Sequence, residues 1–250
     1  MSTAAKAGET AVILGASGAV GKHLLSELLS SSSPYKTVYS FARRAHPSPP
    51  PTSIQFREVL VDFDKVYNGD STETAKLSSI DAASAVYITM GTTRAAAGGM
   101  EAFERIDRGY VLAAAKALAG KAESVVYCSS GGSSSSSLFP YLKSKGLTEE
   151  GLAQLYGKTV IMRPGYLANA ERPGTRILEK TFEPIMGLMS KFSTSVQADV
   201  RDVAKAMLKA GMEGPTALKE RGLASDAGAK YGDGQAVVLG NAAIVKIAKE

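Results

Sequence analysis

Three glycines lie between the first apolar run of the chain and the amphipathic stretch that follows it. The run TAVILG (10–15) is short and rich in β-branched residues, and it ends at Gly15, which predicts a buried strand. Residues 19–31 place five apolar side chains on one helical face, which predicts a helix. Gly15, Gly18 and Gly21 therefore have the spacing G-x-x-G-x-x-G at a strand-to-helix junction.

Each glycine of this triplet has a mechanical role in a dinucleotide site. Gly15 permits a sharp turn out of the strand, Gly18 lets a pyrophosphate approach the backbone, and Gly21 lets the helix pack closely on the sheet. The amides at the helix N-terminus would face the anion, and the Ser17 hydroxyl would add a donor. A glycine-rich turn without a ligand is the alternative, but the position after the first strand favours dinucleotide binding.

The end of the second predicted strand indicates which dinucleotide would bind. NAD sites usually place an acid there, which accepts hydrogen bonds from the ribose hydroxyls. This chain has Arg43 and Arg44 instead, and a guanidinium matches a 2′-phosphate in geometry and charge. The prediction is therefore NADPH/NADP rather than NAD. Asp62, at the end of the third strand, is placed either to meet the adenine amino group or to cap a turn.

Predicted strands alternate with predicted helices along the chain. The strands are expected at 10–15, 37–44, 54–63, 82–91, 124–130 and 158–165, and the helices at 19–31, 103–120, 138–157, 175–192, 199–212 and 241–249. This order predicts an α/β fold with a doubly wound parallel sheet of the Rossmann type. Because no linker divides the pattern, we expect a single domain over 1–250, with a core at 10–165 and a small C-terminal cap and closing elements over 166–250.

Composition argues against several functions. Net charge is +5, but the basic residues are scattered rather than interleaved with aromatics, so nucleic-acid binding is not indicated. There are two histidines and one cysteine without a cluster of ligands, so no metal site is expected. No apolar stretch approaches the roughly 18 to 20 residues that span a bilayer. The polar N-terminal segment 1–9 lacks arginine and the single Cys128 suits a reducing compartment, which together favour the cytoplasm.

The segment YCSSGGSSSSSLFPYLKSK (127–145) has the composition of a linker, yet strands and helices continue on both sides of it. Tyr141 and Lys145 are four residues apart and share one helical face. They lie where ligands bind in such folds, at the carboxyl ends of the strands, and Ser129 and Ser130 end a strand at the same edge. We expect residues 131–137 to form a mobile rim of a substrate cleft.

These side chains suit the reduction of a carbonyl group. Hydride transfer to a carbonyl carbon leaves an oxyanion that needs a proton, and Tyr141 would be its donor. The ammonium of Lys145 would lower the tyrosine pKa from about 10 toward neutrality and would hold the nicotinamide ribose. Ser129 or Ser130 would hold the substrate oxygen, and the sequence does not choose between them. An aromatic side chain packed on the core is the alternative role for Tyr141.

Together these motifs resemble the short-chain dehydrogenase/reductase superfamily. More narrowly, MGTTRAAAGGMEAFERIDRGYVL (90–112) resembles the Gly-Thr-Thr-Arg segment of the Tat-interacting-protein oxidoreductase family and its fungal mitochondrial-proteome relatives. The motifs GASGAVG, SFARR, YCSSGG, YLKSK and IMRPGYL have that family's order and spacing, and the resemblance covers roughly residues 10–175.

The resemblance implies an NADPH-binding oxidoreductase with Tyr141 as proton donor and Lys145 as its partner. The residues that it assigns to the cofactor are Ser17, Gly18, Ala19, Val20, Arg43, Arg44, Met90, Gly91, Leu167 and Arg172. One departure is Asp107, which stands where extended members often have asparagine. Because family members are described as cytosolic or as peripheral on the mitochondrial outer membrane, that membrane is the alternative location.

Three functional hypotheses remain from the sequence. The favoured one is an NADPH-dependent reductase of a small, apolar carbonyl substrate, because the tyrosine, lysine and serines are all present. The second is a non-catalytic NADPH-binding regulator that acts through protein partners, and the third is an isomerase or epimerase, which the short region after residue 165 disfavours. Residues 182–192 would pack on the core, line an apolar pocket or lie on a membrane surface, and a homodimer is compatible with the sequence.

Overall fold

The computed structural model describes residues 9–47, 52–169 and 197–250. Its strands are β1 (Thr10–Leu14), β2 (Thr37–Ala42), β3 (Gln55–Leu60), β4 (Ala83–Ile88), β5 (Ala122–Cys128), β6 (Lys158–Arg163), β7 (Tyr166–Ala168), β8 (Gln197–Asp199), β9 (Ser225–Asp226) and β10 (Gln235–Gly240). Eight of these form one sheet in the order β3-β2-β1-β4-β5-β6-β10-β9, in which only β9 runs antiparallel to its neighbour. The strands β7 and β8 pair separately.

The described helices surround this sheet. They are α1 (Gly21–Leu28), α2 (Phe63–Tyr67), α3 (Ser71–Ser78), α4 (Arg94–Ala97), α5 (Met100–Glu104), α6 (Val111–Ala119), α7 (Pro140–Leu155), α8 (Val200–Glu220) and α9 (Asn241–Lys249). A π-helical turn, Arg105–Tyr110, joins α5 to α6.

The middle residues of the central strands are buried because helices cover both faces of the sheet. In β1, Ala11 and Ile13 pack in the core shared with α1, α8 and α9, whereas Val12 and Leu14 pack in the core shared with α2, α3, α6 and α7. All four side chains are fully buried. The predicted doubly wound α/β fold is confirmed.

Several parts of the fold were not predicted from the sequence, and they include the short elements β7, β8, β9 and α4. The predicted third strand ends early, at Leu60. Residues 63–78 instead form α2 and α3, whose N-caps are Asp62 and Asp70. Residues 235–240 form β10, which extends the parallel sheet beyond β6 although the preceding residues are rich in glycine. The predicted helix at 175–192 and the alternatives for 182–192 lie outside the described residues.

The sheet topology places a crevice between β1 and β4. From β1 the chain builds the sheet outward through β2 and β3, and it then returns to build β4, β5 and β6 on the other side. Ligands of doubly wound sheets bind at the carboxyl ends of the strands where the order reverses in this way. The glycine triplet follows β1, and the segment that begins at Met90 follows β4.

Candidate active site

The turn after β1 can be built only with glycine at its first position. Gly15 has φ +93°, and a Cβ atom there would lie 2.6 Å from the backbone nitrogen of Met90. The Thr89 hydroxyl donates hydrogen bonds to the carbonyl oxygens of Leu14 (3.2 Å) and Gly15 (3.1 Å). The carboxyl ends of β1 and β4 are therefore in contact, and they form the floor of the crevice.

The rest of the glycine turn fits a pyrophosphate. A Cβ atom at Gly21 would lie 1.9 Å from the carbonyl oxygen of Gly15, so α1 packs too closely for any side chain. Helix α1 has no side-chain cap, and the amides of Ser17, Ala19 and Val20 make no hydrogen bond to the described part of the chain. Unpaired amides at a helix N-terminus are suited to bind an anion.

Arg43 and Arg44 directly follow β2, and both are exposed. Neither forms an ion pair with any residue that the structure describes. Asp62 caps α2, since its Oδ1 accepts hydrogen bonds from the amides of Asp64 (3.0 Å) and Lys65 (3.2 Å). The capping alternative for Asp62 is therefore what the structure shows, and contact with an adenine stays a prediction.

Lys145 lies in a buried cluster of polar groups at the carboxyl ends of β4 and β5. Its side chain is only 6% exposed, and its Nζ donates a hydrogen bond to the Tyr127 hydroxyl at 3.1 Å. The same nitrogen is 3.1 Å from Oδ2 of Asp107, which is fully buried. Burial lowers the pKa of Lys145, but Asp107, Tyr127 and Tyr141 raise it, and the net result is a pKa well above the usual value.

Tyr141 lies one turn before Lys145, at the start of α7. Pro140 occupies the first position of this helix, where the missing amide costs no hydrogen bond. The Tyr141 ring packs on the buried ring of Phe103, with centroids 5.6 Å apart. Tyr141 is partly buried, and its phenol is close enough to contribute to the raised pKa of Lys145. Tyr141 thus packs on the core and also lies beside the lysine.

The structure distinguishes the two candidate serines. Ser129 is 7% exposed and donates a hydrogen bond to Oε1 of the fully buried Glu149. Glu149 also pairs with Arg163, whose Nε donates to Oε1 at 3.0 Å, and accepts a hydrogen bond from the Tyr231 hydroxyl at 2.9 Å. The Ser130 hydroxyl is partly exposed, and its one hydrogen-bond contact within the described ranges is at 3.5 Å, with the carbonyl oxygen of Gly131.

The serine-rich segment 131–137 is held against α7, in contrast to the mobile rim expected from its composition. The Ser134 amide donates to the carbonyl of Leu142 at 3.1 Å, and the Gly131 amide donates to the carbonyl of Pro164 at 2.8 Å. A Cβ atom at Gly146 would lie 2.2 Å from the backbone of Ser134. Glycine at this position of α7 therefore lets the segment pack directly on the helix.

The other cofactor candidates lie at the same edge of the sheet or are not described. Met90 and Gly91 follow β4, and a Cβ atom at Gly91 would lie 3.4 Å from Lys145 Nζ. Leu167 is partly buried in β7. Arg172 lies outside the described residues.

Several residues of the site were not identified from the sequence as parts of a network. They are Tyr127, Glu149, Arg163 and Tyr231, together with the pairing of Asp107 to Lys145. The spacing of Glu149, four residues after Lys145 on the same helix, was the available signal.

Two kinds of feature are absent from residues 9–47, 52–169 and 197–250. No helix there is long and apolar enough to cross a membrane. No group of three or more possible metal-ligating side chains occurs in those ranges either.

Comparison with protein families identifies the cofactor class. Residues 15–211 match a family described as NAD(P)H-binding. The chain is 32% identical over 245 residues to the protein fmp52-1, mitochondrial, of Aspergillus terreus, a match that covers 95% of this chain and 98% of that one. It is 33% identical to the fmp52 protein of Aspergillus niger, over 80% of this chain and 86% of that one. The FMP52 protein of Candida glabrata is 36% identical, over 66% of each chain.

Solved structures confirm the architecture. The enzyme WbmF of Bordetella bronchiseptica in complex with NAD+ superposes with a TM-score of 0.60, at 17% identity, over 97% of this chain and 77% of that one. The short-chain dehydrogenase/reductase YIR035C of Saccharomyces cerevisiae gives a TM-score of 0.55, at 16% identity, over 83% and 91% of the two chains. At these identities the likeness shows the fold alone.

The sequence relatives correct one expectation and confirm another. All three are named as mitochondrial proteins, which contradicts the cytoplasmic location expected here, and they give no support to the outer-membrane alternative. The lack of arginine in the nine-residue N-terminal segment is thus a poor guide to location. The resemblance to fungal mitochondrial relatives is confirmed, and the chain belongs to the NAD(P)H-binding family that includes the fungal FMP52 proteins.

Proposed function

We propose that this protein is an oxidoreductase that uses NADPH to reduce the carbonyl group of a small, apolar substrate. The observation that carries the proposal is the position of Lys145. The buried ammonium of Lys145 lies one helical turn after Tyr141. It is also close to the crevice that begins at the glycine turn, because a Cβ atom built on Gly91 would lie 3.4 Å from Lys145 Nζ. A proton donor, its charged partner and a phosphate-binding turn thus meet at one edge of the sheet.

The proton chemistry belongs to Tyr141 and Lys145. NADPH, when bound, supplies the hydride that adds to the carbonyl carbon. Tyr141 donates its phenolic proton to the carbonyl oxygen as negative charge develops there. The ammonium of Lys145 stabilises the phenolate that remains. Lys145 has three N–H donors, of which one is used by Tyr127 and one faces Asp107, which leaves one for a ribose hydroxyl.

Ser130 is the serine that we assign to the substrate oxygen. Ser129 already donates its one hydroxyl hydrogen to Glu149, and a serine has no second donor. The Ser130 hydroxyl is partly exposed and has no comparably close partner among the residues that the structure describes. It can turn to donate a hydrogen bond to an oxygen at the carboxyl end of β5.

The cofactor is assigned to the groups at the carboxyl ends of β1, β2 and β4. The residues proposed to contact it are Gly15, Ser17, Gly18, Ala19, Val20, Gly21, Arg43, Arg44, Asp62, Met90, Gly91, Tyr141, Lys145, Leu167 and Arg172.

NADPH is preferred over NADH in this proposal because of the charges beside β2. Arg43 and Arg44 are exposed and have no acid as partner among the described residues, so both are available to a 2′-phosphate. The acids of the neighbouring segment are engaged: Glu58 accepts two hydrogen bonds from the His46 amide, and Asp62 caps α2. Each of these two carboxylates thus already accepts hydrogen bonds from backbone amides.

An apolar substrate is supported by the residues that precede the catalytic tyrosine. Leu138 is 95% exposed and Phe139 is 55% exposed, and both come directly before Pro140 and Tyr141. Exposed apolar side chains next to a reactive group provide a surface that binds an apolar molecule. The names of the relatives support a mitochondrial location for this activity.

The proposal is tested with purified protein and a panel of aldehydes, ketones and quinones of increasing apolar size. NADPH oxidation is followed by absorbance, and each rate is compared with that of protein carrying Tyr141→Phe. We expect at least one apolar carbonyl to be reduced faster with NADPH than with NADH. Tight NADPH binding without turnover of any carbonyl would contradict the proposal and would favour a regulatory role.

A further inference from the structure

Asp107 is a fully buried carboxylate whose two oxygens have different partners. Oδ1 accepts a hydrogen bond from the Thr92 amide at 3.2 Å. Oδ2 lies 3.1 Å from Lys145 Nζ, and apart from this ion pair it has no hydrogen-bond partner in the described part of the chain. A Cβ atom at Gly91 would lie 2.8 Å from Oδ1, so glycine at 91 leaves room for the carboxylate.

The local backbone explains how this side chain comes to face the lysine. Asp107 lies in the π-helical turn Arg105–Tyr110 between α5 and α6. A π turn contains an extra residue, and such turns are frequent at functional sites. Asp107 is buried here, while its neighbour Arg108 forms a surface ion pair with Glu104 at 3.0 Å.

Burial of this acid has an energetic consequence. A buried carboxylate or ammonium without a partner is strongly unfavourable, so neither Asp107 nor Lys145 would stay charged alone. Tyr127 supplies a hydrogen bond but no formal charge, since burial raises its pKa. Asp107 is therefore the group that permits a charged lysine at this depth.

We propose that Asp107 is a positioning residue that keeps Lys145 charged and fixes its Nζ beside Tyr141. This inference rests on the proposed function, in which Lys145 acts on the proton donor. The described titratable groups that face Lys145 are Asp107 of the π turn, Tyr127 of β5 and Tyr141 of α7. Of these, only Asp107 is a carboxylic acid.

Removing the charge of Asp107 should lower the pKa of Lys145. In Asp107→Asn the amide oxygen can still accept from Thr92, but burial is no longer offset by an acid, and the pKa of Lys145 falls. Reduction needs a charged Lys145, so this fall moves the loss of activity at high pH to a lower pH.

The direct test measures the titration of Lys145 without any substrate. Lysine is labelled with ¹³C at Cε, and the Lys145 signal is assigned by its absence in Lys145→Met. We expect the Lys145 midpoint in Asp107→Asn to fall by about one pH unit or more, as loss of an adjacent opposite charge dictates. Asp226→Asn, which removes an acid from the exposed pair with Lys219, serves as the control and should leave the midpoint unchanged. An unchanged midpoint in Asp107→Asn would overturn the proposal.

A kinetic readout separates this inference from the proposed function. With an accepted carbonyl, the high-pH limb of kcat/KM should shift to lower pH in Asp107→Asn, and an unshifted limb would overturn the proposal. If the wild-type protein reduces no carbonyl, the proposed function fails while the Lys145 titration still decides the pairing. Should Asp107→Asn not fold, Gly91→Ala displaces the carboxylate without removing it, and the Lys145 midpoint should again fall. An unchanged midpoint in that variant would also overturn the proposal.

Discussion

Ser129 and Glu149 are joined by a buried hydrogen bond that commits the Ser129 hydroxyl to the protein interior. Glu149 is held in turn by Arg163 and by the Tyr231 hydroxyl, so this network ties the end of β5 to α7 and to the end of β6. The hydroxyl of Ser129 is therefore engaged within the protein, which is why the proposed function assigns the substrate oxygen to Ser130.

Substitution of each serine by alanine should separate these roles. Ser130→Ala should lower kcat/KM by about 10²-fold, the usual cost of losing one donor to a developing oxyanion, with little change in Tm. Ser129→Ala should lower the free energy of unfolding by about 1 kcal/mol, because Glu149 loses one buried hydrogen bond. Steady-state kinetics and thermal unfolding of both variants check this prediction. A large loss of kcat/KM in Ser129→Ala, with little change in Ser130→Ala, would show that Ser129 is the substrate serine.

Arg43 and Arg44 should determine the choice of cofactor. The double substitution Arg43→Ala/Arg44→Ala removes charge-assisted hydrogen bonds worth about 1.5–3 kcal/mol each, so NADPH affinity should fall by 10-fold or more. NADH affinity should stay within about twofold, since NADH has no 2′-phosphate. Arg221→Ala, which removes an arginine at the distant end of α8, is the matched control. Fluorescence titration measures both affinities, and equal losses for the two cofactors would refute the assignment.

Gly146 should be required for the packing of the serine-rich segment on α7. A Cβ atom there would meet the backbone of Ser134 and Ser135 at 2.2 Å, so Gly146→Ala must displace the segment or the helix. Overpacking of this kind typically costs about 1–3 kcal/mol. Gly157→Ala adds the same methyl group where no atom lies within 4 Å, and it should be close to neutral. Chemical denaturation compares the two, and similar stabilities would contradict the packing described.

The parallel sheet and its glycine turn could be predicted from the sequence because both depend on local pattern. The run from Ala11 to Leu14 is apolar, as expected of a strand buried on both faces. The glycine spacing follows from the close approach of the backbone at Gly15 and Gly21. The pair of Tyr141 and Lys145 could be predicted for the same reason, since four residues separate neighbours on one helical face.

The partners of these residues could not be predicted, because they come from distant parts of the chain. Glu149 accepts a hydrogen bond from Tyr231, which lies 82 positions away in the sequence. Asp107 faces Lys145 because it lies in a π turn, and no local sequence pattern predicts that turn. The segment 131–137 has the composition of a linker, yet Gly146 makes it part of the packed structure. Contacts between distant segments override what composition suggests.

The central claim, that Tyr141 is the proton donor of a carbonyl reduction, is tested most directly by Tyr141→Phe. This variant keeps the ring that packs on Phe103 and removes only the hydroxyl. Tyr67→Phe, which removes the hydroxyl of an exposed tyrosine, is the matched control. The measurement is kcat for NADPH oxidation with an accepted carbonyl, alongside the NADPH dissociation constant. The account predicts that Tyr141→Phe lowers kcat by about 10²- to 10⁴-fold with NADPH affinity within a few-fold of wild type, and unchanged kcat would contradict it.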